Sequence, residues 1–106
     1  MVSFEEFKKL DLRIGKIVKA EPIADSEKLL RLEVDIGSEV RQLVAGIANS
    51  YPSDALIGRE IVVVANLEPK VLKGIESAGM LLAADYEGEP VLLRPEREVP
   101  PGSVVK

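Results

Sequence analysis

Apolar and polar residues alternate strictly over residues 30–36, as expected of a strand with one buried and one solvated face. A looser alternation earlier in the chain predicts a first strand that bends near Gly15, because glycine weakens a strand interior. Two continuous apolar runs later in the chain predict buried strands. The whole pattern predicts five principal strands, at residues 11–21, 30–36, 40–45, 60–65 and 80–86.

Helical signals are short and lie before or between these strands. Three apolar residues at three-residue spacing follow Ser3, and Glu6 completes a capping box, which predicts a helix over residues 4–10. An N-cap at Ser53 predicts one helical turn between the third and fourth strands. The rest of the chain is expected to form a turn at residues 87–89, a short strand at 91–93 and an extended tail at 95–106.

The connection between the fourth and fifth strands, residues 66–79, is rich in turn-forming residues. It holds Pro69, two glycines, a serine and two lysines, which predicts a long irregular loop with a basic tip. Short strands around one central helical turn are typical of a small Greek-key barrel. We therefore expect an all-β fold in a single domain that occupies residues 1–106.

Composition excludes several kinds of chemistry. The chain has neither cysteine nor histidine, so disulfides, zinc sites and histidine-based acid–base catalysis are not expected. No apolar run reaches the length of a membrane span, and the acidic N-terminus does not resemble a secretory signal. We expect a cytoplasmic protein without metal or cofactor that is not an enzyme.

The net charge of −4 opposes general binding to polyanions, but the charges are unevenly distributed. Residues 13–31 carry five basic and three acidic side chains, whereas residues 85–98 carry two basic and five acidic ones. This polarity predicts one basic end, suited to a localised nucleic-acid site. With only two Phe and two Tyr, the chain offers few platforms for base stacking, which favours recognition of a folded RNA by shape and backbone.

Five short motifs follow one another along the chain: Asp-Leu-Arg-Ile-Gly-Lys-Ile at 11–17, Ala-Asp-Ser-Glu-Lys-Leu at 24–29, Val-Ala-Gly-Ile at 44–47, Asn-Leu-Glu-Pro at 66–69 and Ser-Ala-Gly-Met at 77–80. Together they resemble the tRNA-binding domain family. That family includes free-standing bacterial tRNA-binding proteins, the C-terminal domain of many methionyl-tRNA synthetases and cytokine-related cofactors of eukaryotic synthetase complexes. The resemblance implies an OB fold, a homodimer, and binding of folded tRNA without catalysis, with a methionyl-tRNA synthetase as an implied partner.

The resemblance also implies where RNA contacts lie, because OB folds bind through two loops and the adjacent sheet face. Ser77 either offers its hydroxyl to phosphate or ribose or caps the loop. Met80 is either an adaptable apolar contact or a core residue that opens the fifth strand. Asn66 is expected to hold the loop through backbone hydrogen bonds. Four basic residues are expected to contact phosphates: Lys28, Arg31, Lys70 and Lys73.

Two features leave the partner open. Glu21 and Glu68 stand where many relatives carry His and Lys or Arg, which lowers the positive potential near the expected site. A bacterial secretion-related chaperone resembles the same family, so binding of unfolded polypeptides is the alternative function. Two apolar stripes are expected to cover the barrel ends and to build a dimer interface: Phe4, Phe7 and Leu10 at one terminus, and Val99, Val104 and Val105 at the other.

Overall fold

The computed structural model describes residues 1–106 and contains one curled sheet, two separate hairpins and two short helical segments. The elements are α1 (Phe4–Phe7), β1 (Leu12–Pro22), β2 (Leu30–Asp35), β3 (Val40–Ala45), a 3₁₀ turn (Ser53–Leu56), β4 (Glu60–Val64), β5 (Lys70–Leu72), β6 (Ile75–Ser77), β7 (Met80–Leu81), β8 (Ala83–Tyr86), β9 (Glu89–Leu92) and β10 (Val104–Val105). The only α-helix has four residues, and no helix of the structure has the length and apolar character needed to cross a membrane.

The main sheet runs in the order β3-β2-β1-β4-β7, with all pairs antiparallel and β10 added beside β1. Its two edges meet where the Ala78 N–H donates to the Gln42 carbonyl at 2.8 Å. The sheet is thereby nearly closed, in the strand order of a five-stranded Greek-key barrel. The predicted all-β OB fold is confirmed.

Curvature comes from β1, which pairs with β4 along its first half and with β2 along its second. The register shifts between Ile17 and Lys19, so the bulge lies at Val18 and the bend predicted near Gly15 was misplaced. Gly15 serves packing instead, because a Cβ there would collide with Val34 Cγ1.

The barrel is filled by branched aliphatic side chains, which are the alternate, inward-facing residues of β1 to β4. Leu32, Val34 and Ile61 are fully buried, and each such side chain contributes about 1.5–3 kcal/mol to stability. Leu56 reaches the same core from the 3₁₀ turn, which confirms the helical turn predicted between the third and fourth strands. Its N-cap is Pro52, not Ser53 as predicted, because Ser53 lies inside the turn.

A hairpin occupies the connection that the sequence predicted to be irregular. β5 and β6 pair from Lys70 opposite Ser77 to Leu72 opposite Ile75. The turn residues Lys73 and Gly74 have φ values of 51° and 78°, the combination typical of a type I′ turn. The prediction was wrong because Lys-Gly is a weaker turn signal than Asn-Gly, and because Pro69 and Gly79 fall outside the paired residues.

The predicted fifth strand is divided in two. β7 covers only two residues and pairs with β4, whereas β8 leaves the barrel and pairs with β9 alone. All four residues of β8 are exposed, so the apolar run continues past the end of the core. The turn that follows has two residues, Glu87 and Gly88, rather than the predicted three, and β9 begins at Glu89.

The N-terminal stripe does not cover a barrel end as expected, whereas the C-terminal stripe is half-buried at Val99 and Val105. The predicted capping box of Ser3 and Glu6 is present, but α1 ends three residues early and buries none of its residues. Phe4 is 71% exposed, because a four-residue helix is too short to lay a face on the sheet. The extended tail contains β10, in which Val104 is 59% exposed.

Candidate nucleic-acid interface

Arg41 fixes both roots of the β4–β7 connection. Its Nη1 donates to the carbonyls of Ala65 at 2.7 Å and Ala78 at 3.1 Å, and its Nε donates to the Glu39 carboxylate at 2.7 Å. Hydrogen bonds from a charged donor are stronger than neutral ones. The guanidinium therefore sets the angle at which the β5–β6 hairpin leaves the barrel. Sequence reasoning missed this residue, although its position opposite Val34 at an inward-facing site of β3 was a usable signal.

A second group of bonds seats the hairpin against β3. The Ser77 hydroxyl is buried; it accepts from the Val44 N–H at 2.9 Å and donates to the Gly79 carbonyl at 2.9 Å. The Gln42 side chain donates to the Glu76 carbonyl at 2.7 Å. Of the two roles considered for Ser77, this geometry favours capping the loop. A contact between Ser77 and RNA stays a prediction; the only hydroxyl proton of Ser77 is already donated to Gly79, so it is not available to a phosphate in this arrangement.

Arg31 is enclosed by polar partners on the outer face of β2. Its Nη1 donates to the carboxylates of Glu21 at 3.1 Å and Glu33 at 2.9 Å, and its Nε donates to Gln42 Oε1 at 2.7 Å. Gln42 also bonds to the hairpin, so Arg31 supports the loop indirectly, through Gln42. A phosphate contact by Arg31 stays a prediction, and it would compete with two carboxylates.

The three remaining basic candidates have no carboxylate within 4.0 Å. Lys28, Lys70 and Lys73 are all exposed, and Lys73 stands at the tip of the β5–β6 turn. Lys28 lies along Gly46, just past the end of β3. Glu68 and Glu76 balance the two lysines of the β4–β7 connection, so only its tip is basic.

A groove of about 630 Å³ runs between the end of β3 and the β5–β6 hairpin. It brings together Lys70, Ser77 and Met80, whereas Lys28, Arg31 and Lys73 are not part of its lining. Met80 is 49% exposed although it pairs with Val64, so its side chain is accessible and does not lie in the core; a contact between Met80 and RNA stays a prediction. The rest of the lining is mostly apolar, with Val44, Ile47, Leu67, Leu72, Leu81 and Ala83 among its residues, and it also includes the acidic Glu68.

Asn66 begins the β4–β7 connection and ties it to the N-terminal segment. Its Oδ1 accepts from the Asp11 N–H at 2.8 Å, and its Nδ2 donates to the Lys9 carbonyl at 2.7 Å. The prediction that Asn66 acts through backbone hydrogen bonds is confirmed.

An OB barrel with a buttressed loop and exposed lysines beside a groove defines the class of small OB-fold binding domains. Residues 12–104 match the sequence profile of the family described as "Putative tRNA binding domain". The chain belongs to this tRNA-binding domain family. It is 57% identical to a methionine–tRNA ligase of Methanothrix thermoacetophila and 55% identical to one of Pyrococcus furiosus. These matches cover 100% and 99% of this chain but only 16% and 14% of the two ligases.

Solved structures resemble the chain over its full length. A MetRS-related protein from Pyrococcus horikoshii superposes with a TM-score of 0.94 at 39% identity, covering 100% of this chain and 98% of that one. The chaperone CsaA from Bacillus anthracis superposes with a TM-score of 0.91 at 38% identity, covering 100% and 99%. The fold is thus shared by proteins described as synthetase-related and as chaperones.

Proposed function

We propose that residues 1–106 form a tRNA-binding domain that holds folded tRNA through its shape and backbone, without catalysing a reaction. One observation carries the proposal: three unpaired lysines, two on the loop and one beside the groove that it borders, accompany a loop that Arg41 and Ser77 fix to the barrel. Fixed elements present charge at defined positions, which suits recognition of a folded backbone. Family membership supplies the ligand class.

The aromatic residues support shape recognition over stacking. No aromatic side chain lines the groove. Tyr51 has the Arg59 guanidinium 5.5 Å from its ring centroid, and its hydroxyl accepts from the Leu92 N–H at 3.1 Å. Tyr86 is exposed, but on the β8–β9 hairpin. Single-strand binders place such rings along the path of the bases.

The charge distribution sets the expected strength of binding. Each phosphate contact contributes about 0.7–0.9 to the slope of log K against log salt, so three lysines give a slope of about −2 to −3. A net charge of −4 adds a general repulsion that salt screens. We expect moderate affinity with a shallow salt dependence.

A filter-binding titration with tRNA at several salt concentrations tests the proposal. Lys28→Ala, Lys70→Ala and Lys73→Ala should each weaken binding and reduce the slope by about one. Arg31→Ala tests the enclosed arginine and should reduce the slope only if it contacts phosphate. Arg97→Ala is the matched control, because Arg97 is exposed, forms no ion pair and lines a different cavity. Unchanged binding in all lysine variants would refute this site.

The matched ligases suggest the setting in which the domain works. We propose that it acts in the cytoplasm as part of, or beside, a methionyl-tRNA synthetase, delivering or retaining tRNA. We also propose that it forms a homodimer, in which the exposed stripes at the two termini are buried against a second copy.

A second candidate function is binding of unfolded polypeptides. It is favoured by the apolar lining of the groove and by the similarity to CsaA chaperones. A reduced, carboxymethylated polypeptide that binds tightly while tRNA does not would select this function.

A further inference from the structure

The groove is bordered by a glycine that the backbone does not require. Gly46 has no positive φ, and a Cβ placed there would meet only the flexible Lys28 side chain, 3.1 Å from its Cε. Gly79, on the same groove, differs: its φ is 136°, and a Cβ would lie 3.0 Å from the Val64 carbonyl oxygen. The backbone conformation therefore requires glycine at position 79. At position 46 it does not, and the absence of a side chain there leaves the main chain exposed in the groove.

The polar main-chain groups of Gly46 are available for binding. Gly46 follows the last residue of β3 and is exposed, and neither its N–H nor its C=O takes part in a backbone hydrogen bond. A neighbouring donor and acceptor complement the edge of a nucleobase, which presents donors and acceptors side by side.

The walls of the groove suit the flat faces of a base. Bases extruded from a stack pack between apolar as well as aromatic side chains. Met80, Leu67 and Leu72 provide such walls, and the volume of about 630 Å³ lies within the range of ~300–1,000 Å³ typical of small-molecule sites. Lys70 in the lining and Lys28 beside Gly46 offer positive charge to the phosphates on either side of a base, and Glu68, which also belongs to the lining, offsets part of that charge.

We propose that this groove takes one unpaired nucleoside of a folded tRNA, splayed out from a loop or from the 3′ end. Its base lies against the apolar walls and the Gly46 main chain, and the flanking phosphates meet Lys28 and Lys70. This rests on the proposed tRNA binding and names the part of the RNA that enters the groove. An apolar polypeptide side chain would fill the same walls but, unlike a nucleotide, would bring no phosphate to Lys28 and Lys70.

The test needs variants that fill the groove without disturbing the barrel. Ala83 lines the groove and is exposed, and Ala84, the next residue of β8, is equally exposed but does not line it. Ala83→Leu therefore adds bulk inside the groove, with Ala84→Leu as the matched control. Gly46→Ala is a second filling variant, because its new methyl displaces only the Lys28 stem. Circular dichroism melts confirm that each variant folds.

Each variant is titrated with an unmodified methionine tRNA transcript and with transcripts that carry one abasic site at successive unpaired positions. One abasic site should weaken binding to the wild type by roughly tenfold, within the range measured for single-base contacts. Ala83→Leu and Gly46→Ala should weaken binding of the intact transcript similarly and should not weaken that abasic transcript further. Ala84→Leu should bind both as the wild type does.

Three outcomes overturn the proposal while tRNA binding survives. Neutral effects of every abasic site and both filling variants would exclude the groove. If the filling variants weakened binding of all transcripts equally, the abasic ones included, the groove would contact the RNA without taking up a base. Loss of binding to a carboxymethylated polypeptide in Ala83→Leu, with tRNA binding intact, would assign the groove to polypeptides. Absence of transcript binding to the wild type would refute the proposed function itself.

Discussion

Replacing Lys73 by Asn separates the conformational cost of the hairpin tip from its contribution to binding. Lys73 has a φ of 51°. A residue other than glycine costs about 1–2 kcal/mol in this left-handed region, which Asn tolerates better than most. Asn-Gly is also the preferred pair for this kind of turn. We expect Lys73→Asn to raise the free energy of unfolding by about 0.5–1 kcal/mol and Tm by about 2–6 °C.

The same substitution removes an unpaired positive charge from the proposed interface. A solvent-exposed charge pair contributes up to about 1 kcal/mol, which corresponds to at most a roughly fivefold rise in Kd for tRNA. The salt slope should fall by about one at the same time. The variant is therefore expected to be more stable and to bind less tightly, as measured by thermal melts and filter binding on the same preparation.

The β8–β9 hairpin supplies the matched control. Glu87 and Gly88 have φ values of 52° and 84°, close to those of the Lys73 turn. Glu87→Asn should give the same stabilisation without weakening tRNA binding, and Lys73→Arg should keep binding without stabilisation. A lower Tm for Lys73→Asn would refute the strain argument. Equal tRNA affinity in Lys73→Asn and Glu87→Asn would refute the role of the tip in binding.

Three further outcomes follow from the contacts of the loop and the termini. Arg41→Met removes both bonds to the roots of the loop and should lower stability by about 2 kcal/mol and Tm by about 10 °C, measured by circular dichroism. Gln42→Ala should speed proteolysis of the β5–β6 hairpin and weaken tRNA binding with an unchanged salt slope, since the residue braces the loop without carrying charge. The intact chain should have a dimeric mass by light scattering at micromolar concentration, and deletion of residues 1–10 should shift it towards the monomer; a monomeric intact chain would refute the dimer.

The barrel could be predicted from the sequence because its strands obey a local rule. The alternation over residues 30–36 indicates a strand with one face buried in the core. The structure has β2 at this place, and it ends one residue earlier than predicted. The central helical turn and the role of Asn66 likewise followed from local residue chemistry. Failures came where the chain leaves the core. The strand predicted over residues 80–86 opens with an apolar run at 80–84 that looks uniform, but only the first part of that strand remains in the barrel.

The site was harder to predict because the hydrogen-bond partners of a charged side chain are often residues distant in sequence. Arg41 bonds to carbonyls 24 and 37 positions further along the chain, and Arg31 meets a carboxylate 10 positions earlier. A count of basic residues treats these arginines and the exposed lysines alike. Only the fold separates the arginines that hold the loop from the lysines that are free to contact phosphate.

That separation determines what the interface can distinguish in RNA. A guanidinium that reads guanine must be free to donate two bonds to a base edge. Arg31 and Arg41 are occupied within the protein, and Arg94 and Arg97 line a different cavity from the lysines. Arg13 is paired with Asp11, and Arg59 lines the same cavity as Arg94 and Arg97. The basic groups left for the proposed interface are lysines, which would act on phosphate as point charges.

Removing magnesium to loosen the tRNA fold should therefore cost more affinity than exchanging one tRNA species for another. The single nucleoside proposed for the groove would add only one base contact, which is little discrimination between whole tRNA species. The measurement is competition between two tRNA species, and between folded tRNA and an unstructured oligonucleotide of equal length, at matched ionic strength. Equal affinity for the folded and unstructured RNAs would contradict recognition by shape, because lysines alone would then account for all of the binding.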